Sequence, residues 1–159
     1  MTDRPPLEFQ RLGPGHQVGL TEFFAALTAA GDDRTFHPHP FTPEAAAKLC
    51  RYTGRDLYYV ATAGAVLAYG MLRGWDEGYE VPSLGIAVHP AARRTGLGKA
   101  FMAFLHAAAA ARGAPRVRLK VYPDNTPART LYERLGYVFA GESAGQLVGV
   151  LTLGGRADG

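Results

Sequence analysis

The chain has 159 residues, of which 47% are hydrophobic and 19% charged. That suits one domain with its own apolar core and excludes an intrinsically disordered chain. There are 17 Lys and Arg against 14 Asp and Glu, so the net charge is +3, which favours anionic ligands weakly and does not by itself argue for nucleic acid. A lone cysteine, Cys50, excludes an intramolecular disulfide and a multi-cysteine metal site.

Met1–Pro6 lacks the apolar stretch of a signal peptide. The longest alanine run, Ala107–Ala111, is short and flanked by His106 and Arg112, so no bilayer span is expected. The expectation is a soluble, cytoplasmic protein with one domain over residues 1–153 and a flexible Gly-rich tail over residues 154–159. Leu7–Leu12 alternates apolar and polar residues and predicts a first strand. Leu20–Ala30 predicts a helix with Phe23, Phe24 and Leu27 on one face. Thr42-Pro43-Glu44 reads as a helix start, with Thr42 as N-cap, and that helix runs to about Arg51. Leu57–Thr62 and Val66–Leu72 predict a hairpin turning at Ala63-Gly64. After a turn over Gly74–Gly78, Glu80–Val88 predicts a strand that His89-Pro90 stops. Leu97, Phe101, Phe104, Leu105 and Ala108 form the stripe of a helix over Gly96–Arg112, closed by Gly113. Val117, Leu119 and Val121 alternate as a strand. Pro127–Leu135 predicts a helix ended by Gly136, and Tyr137–Ala140 and Leu147–Leu153 predict the last strands. A helical crossover between the Glu80 and Arg116 strands implies a parallel pair in an otherwise hairpin-joined, mixed sheet.

Two stretches carry chemistry. In Val88-His89-Pro90-Ala91-Ala92-Arg93-Arg94-Thr95-Gly96-Leu97-Gly98-Lys99 a strand ends, a glycine-containing loop follows and an amphipathic helix begins. The first N–H groups of a helix lack intrahelical partners and sit at the positive end of its dipole. Gly96 and Gly98 leave those groups uncovered, and Arg93, Arg94 and Lys99 add positive charge, so the turn suits a pyrophosphate or similar anion. A glycine-softened helix start with solvated arginines is the plain alternative. The pattern is neither a Walker loop, since Ala100 follows Lys99, nor a dinucleotide fingerprint, since Arg94 stands where a first glycine would. The second stretch is Asn125-Thr126-Pro127-Ala128-Arg129-Thr130-Leu131-Tyr132-Glu133-Arg134-Leu135-Gly136-Tyr137. Asn125 and Tyr132 lie about two helical turns apart and project the same way.

Together, Arg93-x-x-Gly96-x-Gly98 and Asn125-x-x-Ala128-x-x-Leu131-Tyr132-x-x-x-Gly136-Tyr137 resemble the GCN5-related N-acetyltransferase superfamily. The resemblance implies an α/β (α+β) fold of the acyl-CoA N-acyltransferase type. Its mixed central sheet has seven strands including a splayed parallel pair, and four helices flank it, as the element order also requires. It implies acetyl-CoA as acyl donor. Backbone groups of Ile86, Ala87 and Val88 would pair with the pantetheine arm, and those of Arg94, Thr95, Gly96, Leu97, Gly98 and Lys99 would hold the pyrophosphate. Arg93 matches the first motif position, which is Gln or Arg in the family. Asn125 would bond the cofactor arm, and Tyr132 matches the tyrosine that protonates the departing thiolate. Amine attack on the thioester would pass through a tetrahedral oxyanion stabilised by an N–H near Val88. Ordinary core packing for Tyr132 and a plain helix cap for Asn125 are the alternatives.

No base is evident. Glu80 would share a strand face with Leu84, Ile86 and Val88, but Pro82 stands where some family members carry a glutamate. Asp76, Glu77 and Ser83 are lesser candidates. In the resembled fold, Phe36-His37-Pro38-His39-Pro40-Phe41 borders the acceptor pocket, so Phe36, His37 and His39 are candidate substrate contacts, as are Trp75 and Tyr79. The intervening prolines would point His37 and His39 the same way, yet no neighbouring Cys or carboxylate completes a metal site, so none is assigned. Cys50 reads as a small apolar residue. The expected reaction is acetylation of a small-molecule primary amine. Acetylation of a peptide or protein amine, which an acidic groove would favour, and an idle CoA-binding module are the alternatives. No nucleic-acid or membrane partner is expected, and a homodimer through the final strands is left open.

Overall fold

The computed structural model describes residues 5–154. The expected tail beyond Gly154 therefore lies outside the described residues. The elements are β1 (Glu8–Arg11), α1 (Gln17–Ala29), α2 (Pro43–Cys50), β2 (Leu57–Ala63), β3 (Ala65–Arg73), β4 (Ser83–Val88), α3 (Leu97–Ala111), β5 (Arg116–Val121), α4 (Thr126–Arg134), β6 (Val138–Ser143) and β7 (Gln146–Thr152). Seven strands form one sheet in the order β1-β2-β3-β4-β5-β7-β6, and β4 and β5 are its parallel neighbours. Order and class are those expected from the sequence; three boundaries differ by three residues. β4 begins at Ser83, because Pro82 has no N–H to give the ladder. Glu80 is thus outside the strand, and the parity that aligned it with Leu84 does not apply. α1 starts at Gln17, after a single 3-10 turn at Pro14–His16 in which His16 Nδ1 accepts the Gly13 N–H at 3.0 Å. β6 runs on to Ser143 through a register shift between Phe139 and Glu142, where Gly141 has φ +89°.

Alternation along the strands divides the core in two. Leu57, Leu72, Leu84, Val117 and Leu119 face Leu97, Phe101 and Leu105 of α3. On the opposite face Val60, Tyr69 and Met71 meet Leu20, Phe23, Phe24 and Leu27 of α1, with Ala46 and Cys50 of α2. Each such buried side chain contributes about 1.5–3 kcal/mol. α3 lies so close to β3 that a Cβ at Gly70 would meet Leu105 Cδ1 at 2.8 Å and Phe101 Cζ at 3.0 Å. Trp75 is 5% exposed in the α3-side core, with the Arg112 guanidinium 4.7 Å from its ring centroid. Asp56, also buried, holds the turn after β3: its Oδ1 accepts the N–H groups of Gly74, Trp75 and Asp76 at 3.0, 2.9 and 3.2 Å. Among the described residues no helix is long and apolar enough to cross a membrane.

Candidate functional site

β4 pairs fully with β3 on one side, from Arg73↔Ser83 to Ala68↔Val88, but meets β5 only at Ser83↔Arg118. Beyond that contact, which the Arg118 N–H to Pro82 carbonyl bond at 3.0 Å closes, the two strands diverge into a wedge. Peptide groups alternate sides along a strand. The His89 N–H reaches back to the Leu67 carbonyl at 2.7 Å, so Ala87, paired with Tyr69, also turns its N–H and C=O toward β3. Ile86 and Val88 turn theirs into the wedge. Of the three expected backbone contacts, Ala87 is therefore withdrawn, and Ile86 and Val88 remain.

The wedge opens onto the turn before α3. Gly96 has φ +85° and caps the helix, and Arg94 also has positive φ, 63°. For a non-glycine residue that conformation costs on the order of 1 kcal/mol. The turn is built this way to present its N–H groups. Those of Arg94, Thr95, Gly96, Leu97, Gly98 and Lys99 have no acceptor among the described residues, and the first bond of the helix is Ala100 N–H to the Gly96 carbonyl at 3.1 Å. A Cβ at Gly96 would meet nothing within 4 Å, and one at Gly98 only Val88 Cγ2 at 3.6 Å, so nothing covers the cradle. Leu97 is buried in the core, while Arg94 and Lys99 are exposed at the rim. This set fits a phosphate-bearing ligand. Arg93 plays another part. Its Nε donates to the Val88 carbonyl at 3.1 Å and its Nη2 is ion-paired with Asp32. The guanidinium ties the turn to the end of α1, and Asp32, 61 residues away, gave no sequence signal.

α4 closes the other side. Asn125 is its N-cap, Oδ1 accepting the Ala128 N–H at 3.3 Å, which leaves the amide NH2 free to donate. Tyr132 is half-buried and packs on the same apolar cluster as Ile86 and Val88. Its ring lies 5.8 Å from that of Tyr137, whose hydroxyl is 2.8 Å from His106 Nε2. The Tyr132 hydroxyl has no hydrogen-bond partner among the described residues, and burial pushes its pKa up to about 12.

On the opposite face, a cavity of about 370 Å³ lies where the wedge begins. Phe36, His37, Arg73, Ser83, Lys120 and Gln146 are on its wall. Phe36 and His37 thus share one cavity wall. His37 and His39 do not point the same way. His37 Nε2 reaches the Tyr122 hydroxyl just past β5, at 3.2 Å. His39 turns inward among Phe24, Phe41 and Tyr69. Its Nδ1 lies 2.9 Å from the Pro40 carbonyl and so carries the proton, leaving Nε2 to accept from the Tyr69 hydroxyl at 2.9 Å. Desolvation lowers its pKa. His39 therefore supports the wall from behind, and Trp75, in the core, does not reach the cavity. Glu80 and Tyr79, the latter 64% exposed, line a wider open hollow beside it. Arg73 and Lys120 went unread because cavity membership here depends on which strand faces α1 and α2 leave bare.

Residues 26–137 match the model of the acetyltransferase (GNAT) family. The chain is 31% identical over 101 residues to an acetyltransferase of Pectobacterium atrosepticum, covering 64% of this chain and 65% of that one. It is 35% identical over 83 residues to an acetyltransferase of Sodalis glossinidius, covering 52% and 57%. It therefore spans less than two thirds of the length of these relatives. Its fold is shared with a GCN5-related N-acetyltransferase from Kribbella flavida, at TM-score 0.76 and 24% identity over 92% of this chain and 98% of that one. It is shared also with the PaiA N-acetyltransferase from Thermoplasma acidophilum in complex with coenzyme A, at TM-score 0.77 and 13% identity over 92% and 99%. With the family model spanning both motifs and most of the sheet, the chain belongs to the acetyltransferase (GNAT) family.

Proposed function

We propose that the protein is an N-acetyltransferase that moves an acetyl group from acetyl-CoA to a primary amine of a small molecule by direct attack. The observation that carries this reading is the wedge between β4 and β5, open to an uncovered anion cradle on one face and to a cavity of about 370 Å³ on the other. The N–H groups of residues 94–99 hold the pyrophosphate. Ile86 pairs through its wedge-facing peptide groups with the amide-bearing arm, and the Asn125 amide donates to it; the Val88 carbonyl is taken by Arg93 Nε, which leaves the Val88 N–H. The Val88 N–H faces the oxyanion that develops as the amine attacks. Tyr132 donates its proton toward the departing thiolate. On the acceptor side, His37 carries the one imidazole on the cavity wall, and it takes the proton of the incoming amine directly or through water. Glu80 belongs to the neighbouring hollow and has no part in this step.

Calorimetric titration of acetyl-CoA, followed by an amine screen read as thiol release, tests the proposal. Saturable binding at about one equivalent per chain is expected, weakened at least tenfold in Gly96→Val, whose side chain would occupy the cradle and whose backbone would be strained by about 1–2 kcal/mol. Absence of binding at millimolar acetyl-CoA removes the reading.

A further inference from the structure

α1 and α2 cover the sheet only as far as β4, so the face of β5 that they leave bare is free to carry charge. Arg116, Arg118 and Lys120 alternate along it, while Val117, Leu119 and Val121 point into the core side. Lys120 is on the wall of the 370 Å³ cavity, joined there by Arg73 from β3. No Asp or Glu lines that cavity. The described residues hold one ion pair, Arg93 with Asp32, so Arg73, Arg118 and Lys120 have no carboxylate partner among them. Arg73 is half-buried, its Nη1 offered to the Pro38 carbonyl at 3.5 Å, with Tyr58 its other polar neighbour. A partly desolvated guanidinium with only neutral acceptors is an incomplete pair.

Carboxylates stand nearby but outside the cavity. Asp56 is held by three N–H groups of the turn. Asp76 is held by the Tyr52 hydroxyl and the Arg55 N–H. Glu77 and Glu80 are exposed on the wider hollow, which Arg73 also borders, and neither is ion-paired with it.

Resting on the acetyltransferase reading, we infer that the acceptor is a primary amine that also carries a carboxylate, of the size of an amino acid, with Arg73 and Lys120 as its carboxylate receptor. The guanidinium offers a planar fork that suits a carboxylate, and the ammonium closes the other side. A cavity of this volume takes a small molecule. The same two cations repel a polyamine or a lysine-rich peptide, which would bring further positive charge into a cavity whose own wall carries no acidic group.

The test is a matched panel in the thiol-release assay: the common amino acids, their carboxamides and the corresponding decarboxylated amines, with spermidine as a cationic control. The expected result is a kcat/KM at least tenfold higher for a free-carboxylate member than for its carboxamide and its decarboxylated amine. That preference should collapse, through KM, in Arg73→Gln. Lys120→Glu, a change at an exposed site, should collapse it without affecting folding and should improve the carboxamide relative to the acid. Equal or better turnover of carboxamides, simple amines or spermidine overturns the inference and leaves the acetyltransferase reading standing. Thiol release from no panel member, with acetyl-CoA binding intact by calorimetry, also overturns it. Loss of acetyl-CoA binding itself would remove the underlying reading.

Discussion

Replacing Tyr132 with Phe separates an acid from a packing residue. The ring stays on the cluster that includes Ile86 and Val88, and only a hydroxyl with no partner among the described residues is lost. Stability should therefore change by less than about 0.5 kcal/mol. Chemistry should change far more. Burial holds the phenol at about 12, against roughly 8.5 for a free thiol, so complete proton transfer to a thiolate is uphill by about 3.5 pH units, or about 5 kcal/mol. The useful proton is thus one shared within a hydrogen bond as the C–S bond breaks, when the sulfur is most basic. General acids of this kind contribute roughly 10²–10⁴ in rate, so kcat should fall about 10²-fold or more while acetyl-CoA affinity stays within about threefold. Steady-state thiol release, calorimetric titration and thermal melting of the two proteins measure the three quantities. A second readout is pH. With the phenol at about 12, about one molecule in a thousand is ionised at pH 9, so Tyr132 gives no alkaline limb below about pH 11. Unchanged kcat in the variant, or a limb near pH 10 that it abolishes, would refute the assignment of a desolvated acid.

His37→Gln keeps a polar contact toward Tyr122 but cannot take a proton; the expected outcome is a kcat/KM lowered at least tenfold near neutrality, with partial recovery as rising pH deprotonates the amine. A profile of unchanged shape would leave His37 as wall alone. His39 and His106 both have lowered pKa values caused first by desolvation. Each is favoured neutral in the folded chain, so the unfolded chain binds more protons below about pH 6.5 and stability falls as pH drops through that value. Denaturant midpoints at pH 7.5 and pH 5 should show this decline, and His39→Asn should flatten it while lowering stability at the higher pH.

Much of this was readable before folding. The Gly96-x-Gly98 turn follows from a strand, a loop and an amphipathic helix in sequence, because helix N-termini expose donors wherever they occur. Tyr132 and Asn125 were singled out by the family resemblance; their spacing on one helix said only that they project the same way. The limits are equally physical. Arg93 bonds Asp32 from a distant element, Ala87 is withdrawn by strand parity set by β3, and Trp75 is buried in the apolar cluster on the α3 side. None of these is written in a local pattern. Glu80 was misplaced by a boundary: one proline delayed β4 by three residues and removed the face it was expected to share. The cations of β5 were visible as alternation, but that their face is bare depends on where α1 and α2 stop.

An open sheet ordinarily has two edges, and this one has four. Where β4 and β5 part, each offers peptide groups with the same appetite for a partner as an outer strand, set inside the sheet rather than at its rim. A slender, extended molecule with its own amide groups can pair with them. Such a guest would add rungs to the ladder between the two halves of the sheet. Protection of the Ile86 and Val88 amides from hydrogen exchange should therefore rise when that interior edge is paired, giving a view of occupancy that needs no turnover.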